Sequence, residues 1–289
     1  MKNHKALLFF FFSMVISAQA QQDLKVGLIL SGGGAKGIAH VGVLKEIERA
    51  GVRIDYIGGT SMGAIVGGLY ACGYTASQLE EMLLSTNLNG VISDKFDRDV
   101  MFFDAKEDAS RDAITLPIVK GRIQFPLSLS KGQNVYAMFV QLMHEQRNTQ
   151  DFSKLPIPFY CVATDINTGE KTVLDKGYLP LAVNASSALP TLFSPVKVED
   201  RMLIDGGIID NYPIDEMLSK NMDVIIGVDV QTNVSSTDET STLSEVLTRI
   251  GSFQTRKQMA SKKAKTQIHI RPELDAFNIL SFDNQKEIM

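Results

Sequence analysis

Apolar residues follow two rhythms along this chain, and their alternation predicts an α/β fold. Residues 25–30, Lys-Val-Gly-Leu-Ile-Leu, form a nearly unbroken apolar run, the pattern of a buried strand. After a glycine-rich turn the period changes. Val41, Leu44 and Ile47 recur at helical spacing over 38–50, and Gly51 stops the segment. Residues 54–57 are again strand-like and 62–71 helical, and Thr75-Ala-Ser-Gln78 reads as a capping box opening a helix that runs through Leu84. Residues 89–112 are polar, charged and punctuated by Phe96, Phe102 and Phe103, which suits a long loop or mobile cover. Over 114–130 the period becomes two, with Ile123, Phe125, Leu127 and Leu129 alternating, so a β-hairpin is expected.

The alternation then resumes. A helix is expected over 134–145, a strand over 157–163, a turn at 167–170 and a strand over 171–174. A helix over 178–189 is closed by Pro190. Short strands at 196–198 and 202–204 flank the turn Glu199-Asp200. A helix over 213–220 begins with proline in its first turn, and 224–230 is a buried strand. Strands alternating with helices imply a mainly parallel sheet. Residues 231–242 are rich in Ser and Thr and mark a linker or surface loop. Leu243, Val246, Leu247, Ile250 and Phe253 make a helical stripe. Residues 249–265 hold six basic side chains and no acidic one, which reads as a solvated helix face in preference to a membrane-surface contact.

The amino terminus is an address. Lys2, His4 and Lys5 precede the apolar stretch 6–16, and Ala18-Gln19-Ala20 is a small-x-small cleavage site. This reads as a secretory signal peptide over 1–20, too short for a membrane span. The expected organisation is therefore a signal over 1–20, a catalytic domain over 21–231 and a helical extension over 232–289 that completes or follows it. The formal net charge of −4 gives no reason to expect a nucleic acid partner. Cys72 and Cys161 do not make a disulfide framework and read as buried free thiols. Cys and His show no ligand spacing, so no metal is expected.

Candidate chemistry lies at three glycine-rich turns. Gly59-Thr60-Ser61-Met62-Gly63 sits between a strand and a helix, with small residues two before and two after the serine. That is the nucleophile-elbow pattern, and the following helix N-terminus favours negative charge. Gly32-Gly33-Gly34-Ala35-Lys36-Gly37 can aim backbone N–H groups into one small space, where acyl transfer would hold an oxyanion. Its rival is the dinucleotide fingerprint G-x-G-x-x-G, with Asp55 about where a ribose-binding acid belongs. Asp205-Gly206-Gly207, directly after a strand, offers a base for Ser61, or an ordinary turn aspartate. Ser61, Asp205 and His269 reproduce the chain order of α/β hydrolases, but Ile268-His269-Ile270 alternates like a strand interior. His40 and His144 lie within helix patterns and read as structural.

Taken together and in this order, the three motifs resemble those of the patatin-like phospholipases, in particular exported bacterial members. Residues 163–170 (Ala-Thr-Asp-Ile-Asn-Thr-Gly-Glu) and 185–195 (Ala-Ser-Ser-Ala-Leu-Pro-Thr-Leu-Phe-Ser-Pro) strengthen the resemblance, which covers about residues 24–230. It implies a three-layer α/β/α sandwich. It also implies a Ser–Asp dyad without histidine, with Ser61 as nucleophile and Asp205 as base, and an oxyanion hole from Gly33, Gly34 and Ala35. Gly32, Lys36, Gly37, Gly59, Gly63, Gly206 and Gly207 would support the motifs, with Lys36 positioning its loop or meeting an anionic lipid. The implied reaction is hydrolysis of fatty acyl esters of phospholipid through an acyl-enzyme, with no cofactor, in the periplasm, at the outer membrane or outside the cell. Peripheral membrane contact would suit such a substrate. A non-catalytic lipid-binding module and a dinucleotide-binding oxidoreductase are the competing expectations.

Overall fold

The computed structural model describes residues 23–94, 118–119, 122–123, 128–231, 253, 255 and 257–289. Strand β1 (Val26–Leu30) leads through a 3₁₀ turn (Gly34–Ile38) into helix α1 (Ala39–Arg49). β2 (Tyr56–Thr60) leads into α2 (Met62–Ala71), followed by α3 (Ala76–Ser85) and the short α4 (Leu88–Ile92). β3 (Ile118–Val119) and β4 (Arg122–Ile123) pair antiparallel, and β5 (Ser128–Ser130) precedes α5 (Gln133–Leu142). Next come β6 (Phe159–Asp165), β7 (Lys171–Leu174), α6 (Leu179–Ser186), β8 (Thr191–Phe193), β9 (Val196–Val198) and β10 (Arg201–Asp205). The described chain closes with α7 (Ile214–Leu218), β11 (Val224–Val228), a helix α8 over 257–264, β12 (Ile268–Ile270) and α9 (Gln285–Ile288).

Eight strands form the central sheet, in the order β12-β11-β1-β2-β6-β10-β9, with β7 also paired to β6. β12, β11, β1, β2 and β6 run parallel, joined by crossovers, while β7 and β10 run antiparallel to β6, and β9 pairs antiparallel with β10. The period-2 alternation of the strands divides two cores. Leu28, Leu30, Ile57, Phe159 and Cys161 face one side, where Val41, Leu44, Val66, Leu69, Phe139 and Val183 of the helices pack on them. Ile29, Tyr56, Tyr160 and Val162 face the other, with Ile214 and Met217 of α7 and Met259 of α8. The molecule is therefore a three-layer α/β/α sandwich with one thick and one thin helical layer.

One detail of register positions the site. β6 pairs β2 over 159–162 and β7 over 161–164, so those partners lie on opposite edges of β6. β10 pairs β6 over 163–165, overlapping β7, and so lies on the same edge as β2. Thr60 stands opposite Val162 and Asp205 opposite Ala163. Two adjacent residues of β6 thus bring the end of β2 and the end of β10 together.

Several boundaries differ from expectation. β2 starts two residues later and carries its glycines as strand residues, because Tyr160 lies where a side chain at Gly58 would stand. Leu88–Ile92 is helical where a loop was expected, its Asn87 side chain capping Gly90 N–H at 3.0 Å. The helix after Tyr178 ends at Ser186, and β8 follows Pro190. The basic run is not wholly a solvated face: Lys262 is buried, against Asp210. Cys72 and Cys161 are both free, Cys161 buried and Cys72 half-buried. The expected signal, most of the cover after Asp94, the linker and the stripe over 243–250 lie outside the described residues. Among those described, no helix is long and apolar enough to cross a membrane.

Candidate active site

Ser61 sits at the sharp turn between β2 and α2 with φ 55° and ψ −122°. A left-handed φ at a non-glycine residue stores roughly 1–3 kcal/mol and persists only where its surroundings impose it. Here they do. Ser61 N–H donates to Ser186 Oγ (3.2 Å), whose own hydroxyl donates to the Val162 carbonyl (2.6 Å). Thr60 Oγ1 donates to the Asp210 carbonyl at 3.0 Å. Gly59 and Gly63 fit the turn sterically: a Cβ at Gly63 would lie 2.2 Å from the Leu30 carbonyl oxygen, and one at Gly59 2.5 Å from that of Gly63. Ser186 was not singled out by sequence, although it lies in the block 185–195 that carries part of the family resemblance.

Ser61 Oγ donates to Asp205 Oδ2 at 2.5 Å. Asp205 Oδ1 accepts the Gly207 N–H at 2.7 Å, which caps a 3₁₀ turn over Gly206–Ile208. Both carboxylate oxygens are engaged, and the side chain is almost wholly buried (3% exposed). Burial pushes its pKa up to about 6, against the hydrogen bonds from Ser61 and Gly207, which pull it down. An acid in this setting is a better proton acceptor near neutrality than a solvated aspartate.

The glycine loop lies beside this pair. Gly34 lines the same cavity as Ser61, with φ 57° and a backbone that Ile279 approaches so closely that a Cβ would lie 2.3 Å from the Ile279 carbonyl oxygen. Among the described residues, the N–H groups of Gly33 and Gly34 have no hydrogen-bond partner. Ala35 departs from the expected role, because its N–H donates to the Ile279 carbonyl at 2.9 Å. Lys36 is buried (1% exposed), so it faces the protein interior rather than a lipid surface. Gly37 packs against Met62, next to the elbow. The cavity of about 100 Å³ is lined almost entirely by apolar side chains, among them Leu69, Val135, Phe139, Leu142, Leu280 and Phe282.

The alternatives fare differently. His269 lies on β12, with β11 and β1 between it and β2, beside Asp229 at 3.7 Å. It does not join Ser61. His40 is buried in α1, donates from Nε2 to the Ser31 carbonyl (2.8 Å), and has its pKa pushed down to about 4 by burial. His144 follows α5 in a 3₁₀ turn. Asp55 accepts the Val26 N–H at 2.8 Å, at the start of β1, whereas the glycine loop follows the end of that strand. An acid so placed cannot serve a ribose held at the loop, which removes the second half of the dinucleotide fingerprint. Among the described residues no three His, Cys, Asp or Glu side chains converge as a metal site.

The described residues thus bring together, on an α/β sandwich, a serine on a strand–helix elbow, an aspartate hydrogen-bonded to it and a glycine loop beside both. The family profile of the patatin-like phospholipases matches residues 28–218, and the chain belongs to that family. Lysophospholipase nte1 of Emericella nidulans is 30% identical over 294 residues, covering 91% of this chain and 17% of the relative. Lysophospholipase NTE1 of Mycosarcoma maydis is 33% identical over 218 residues, covering 75% of this chain and 10% of the relative. The chain thus spans a small part of the length of these relatives. Among solved structures, the type III effector protein ExoU aligns with a TM-score of 0.41 and 15% identity, over 91% of this chain and 50% of that one.

Proposed function

We propose that this protein is an exported serine acyl hydrolase that cleaves fatty acyl esters of phospholipids or lysophospholipids through Ser61 and Asp205. The observation that carries the reading is the 2.5 Å hydrogen bond from Ser61 Oγ to Asp205 Oδ2, at an elbow that opens on an apolar cavity. Family membership and the names of the relatives support the lipid class. Lys2 and Lys5, the apolar stretch 6–16 and Ala18-Gln19-Ala20 support export.

The contact between Ser61 and Asp205 supports a two-step acyl transfer. Ser61 Oγ attacks the ester carbonyl carbon while its proton passes to Asp205 Oδ2. The carbonyl oxygen takes the negative charge, and the Gly33 and Gly34 N–H groups would hold it, a role supported by their having no partner among the described residues. Collapse expels the leaving alcohol, which takes the proton from Asp205 and leaves an acyl-Ser61. Water attacks the acyl group, gives its proton to Asp205, and the second collapse returns that proton to Ser61 and frees the fatty acid. The base must be ionised, so the rate rises with pH through a limb near 6, the value to which burial raises Asp205.

Fatty-acid release from phosphatidylcholine and lysophosphatidylcholine vesicles by residues 21–289 tests this directly. Ser61→Ala and Asp205→Asn should each lower release by at least about 10³-fold. Retention of activity in Asp205→Asn, with loss in His269→Ala, would replace the dyad by a histidine mechanism. A folded protein that releases nothing from any ester would instead be a lipid-binding member of the family.

A further inference from the structure

Asn211 stands six residues beyond Asp205, in the loop that leads into α7. Its backbone carbonyl accepts the Gly32 N–H at 3.2 Å, and its side-chain Nδ2–H donates to the Gly32 carbonyl at 3.2 Å. One residue therefore clasps both polar groups of Gly32. Its Oδ1 also fills the space beside two glycines: a Cβ would come within 2.3 Å of that oxygen at Gly32 and within 2.7 Å at Gly207. A Cβ on Gly32 would lie 3.0 Å from that of Ser61. The side chain is thus wedged where the glycine loop, the serine elbow and the aspartate turn meet.

Asn211 is itself held from both sides. The preceding Asp210 offers its carbonyl to Thr60 Oγ1 at 3.0 Å, and its carboxylate is bound by Lys262 of α8 and, at 3.2 Å, by Lys171 of β7. The carbonyl of the following Tyr212 accepts from Lys262 Nζ at 2.9 Å. Of the other bonds to residues 31–35, one is local, from Ser31 Oγ to the Gly32 carbonyl at 3.3 Å, and the rest join different parts of the fold: Ser31 N–H to the Val228 carbonyl, Val230 N–H to Ser31 Oγ, Ala35 N–H to the Ile279 carbonyl and His40 Nε2 to the Ser31 carbonyl. The bonds from Asn211 tie the glycine loop to the loop that directly follows Asp205.

We propose that Asn211 is a positioning residue for acyl transfer. By clasping Gly32 it fixes the separation between the Gly33 and Gly34 N–H groups and the Ser61–Asp205 pair. The proposal rests on the acyl-transfer reading above. Its physical basis is preorganisation: a glycine-rich loop has many conformations, and donors stabilise a developing oxyanion only when already fixed at the right distance. Asn211 makes its bonds in the resting protein and touches no reacting atom, so its loss should lower turnover without changing ground-state lipid binding.

The test combines kinetics with amide hydrogen exchange on full-length protein. Asn211→Ala removes the side-chain donor and the wedge, and Asn211→Asp keeps the shape but turns an oxygen towards the Gly32 carbonyl. For both, kcat is expected to fall about 10- to 100-fold with KM within about 3-fold of wild type and the acidic limb unmoved. Exchange should quicken in peptides covering residues 31–36 and stay unchanged in β1 and β2. Unchanged exchange over 31–36 overturns the proposal, as does faster exchange there with normal kcat. A general rise in exchange with kcat and KM both impaired also overturns it, as a fold defect. Ser61→Ala and Asp205→Asn run beside them separate the two readings: activity that survives both defeats the dyad itself, and with it any loop positioned for it.

Discussion

Asp205 and His40 are both buried ionisable groups, and their effects on stability run in opposite directions. In the fold Asp205 holds its proton up to about pH 6, against an ordinary value of 3.8. The folded state binds more protons than the unfolded one between those values, so stability falls as pH rises through that window, by about 3 kcal/mol. His40 has its pKa depressed to about 4 from 6.5, because burial disfavours the cation. Its contribution is full above pH 6.5 and is lost as pH falls towards 4, again about 3 kcal/mol. In the wild type the two slopes nearly cancel between pH 4 and 6. Asp205→Asn removes the first and leaves the second. The variant should therefore be more stable than wild type at pH 8, by up to about 3 kcal/mol, and equal to it near pH 4. Urea unfolding midpoints at the two pH values measure this, and a gap that does not change with pH would mean that Asp205 titrates normally in the fold. Gain of stability at pH 8 together with loss of activity is the outcome expected if Asp205 serves as the proposed base. The turns at Ser61 and after Asp205 were legible because their glycines have a steric purpose. Ser186 and Asn211 were not, because nothing in their local spacing reveals contacts that span 125 and 179 residues.

At the level of elements, the strands and helices were largely legible because period 2 and period 3.6 differ plainly in this chain. What the periodicity could not show is that β2 and β10 share one edge of β6, since that depends on pairing between distant segments. The same limit explains the reading of the basic run as solvated. Lys262 turns inward because its partners, Asp210 and the Tyr212 carbonyl, lie about 50 residues earlier in the loop after β10. Lys265, on the same helical side, pairs with Asp215 at 2.7 Å. Removing one partner of a buried ion pair leaves the other charge uncompensated, at a cost of roughly 3–5 kcal/mol, although Lys171 remains within 3.2 Å of Asp210 and softens the loss. Lys262→Met is therefore expected to destabilise the protein by about 2–3 kcal/mol, while Lys263→Met, at an exposed position of the same helix, changes stability by less than about 0.5 kcal/mol. Chemical denaturation of the pair decides it. Equal stabilities would show that Lys171 alone neutralises Asp210.

Across the whole molecule, the folding unit extends past the part that the family profile covers. That match ends at residue 218, yet β11 and β12 lie beyond it, β11 pairing with β1 and β12 with β11. Leu274, Phe282 and Ile288 are buried in the larger core, and Ile279, Leu280 and Phe282 form one wall of the cavity beside Ser61. Ile279 also holds the Ala35 N–H, so the segment braces the glycine loop as well as the cavity. Local pattern offered little sign of this, because residues 271–289 carry neither a long helix nor an alternating strand, and their role lies in irregular backbone packed on distant elements. A chain ending at residue 231 would expose the β11 edge, lose Lys262 from Asp210 and open the apolar wall to water. Unpaired edges and uncovered apolar surface favour association, so the fragment is expected to aggregate or to unfold without a sharp transition. Phe282→Ala tests the same idea without cutting the chain. A large-to-small change at this buried position should cost about 3–4 kcal/mol, read as a lowered urea midpoint, and at a temperature where the variant stays folded it should weaken hydrolysis of long-chain esters more than of short ones. If residues 23–231 unfold cooperatively and keep full ester hydrolysis, the segment after residue 256 is an appendage, and the bond from Ala35 to Ile279 has no bearing on the site.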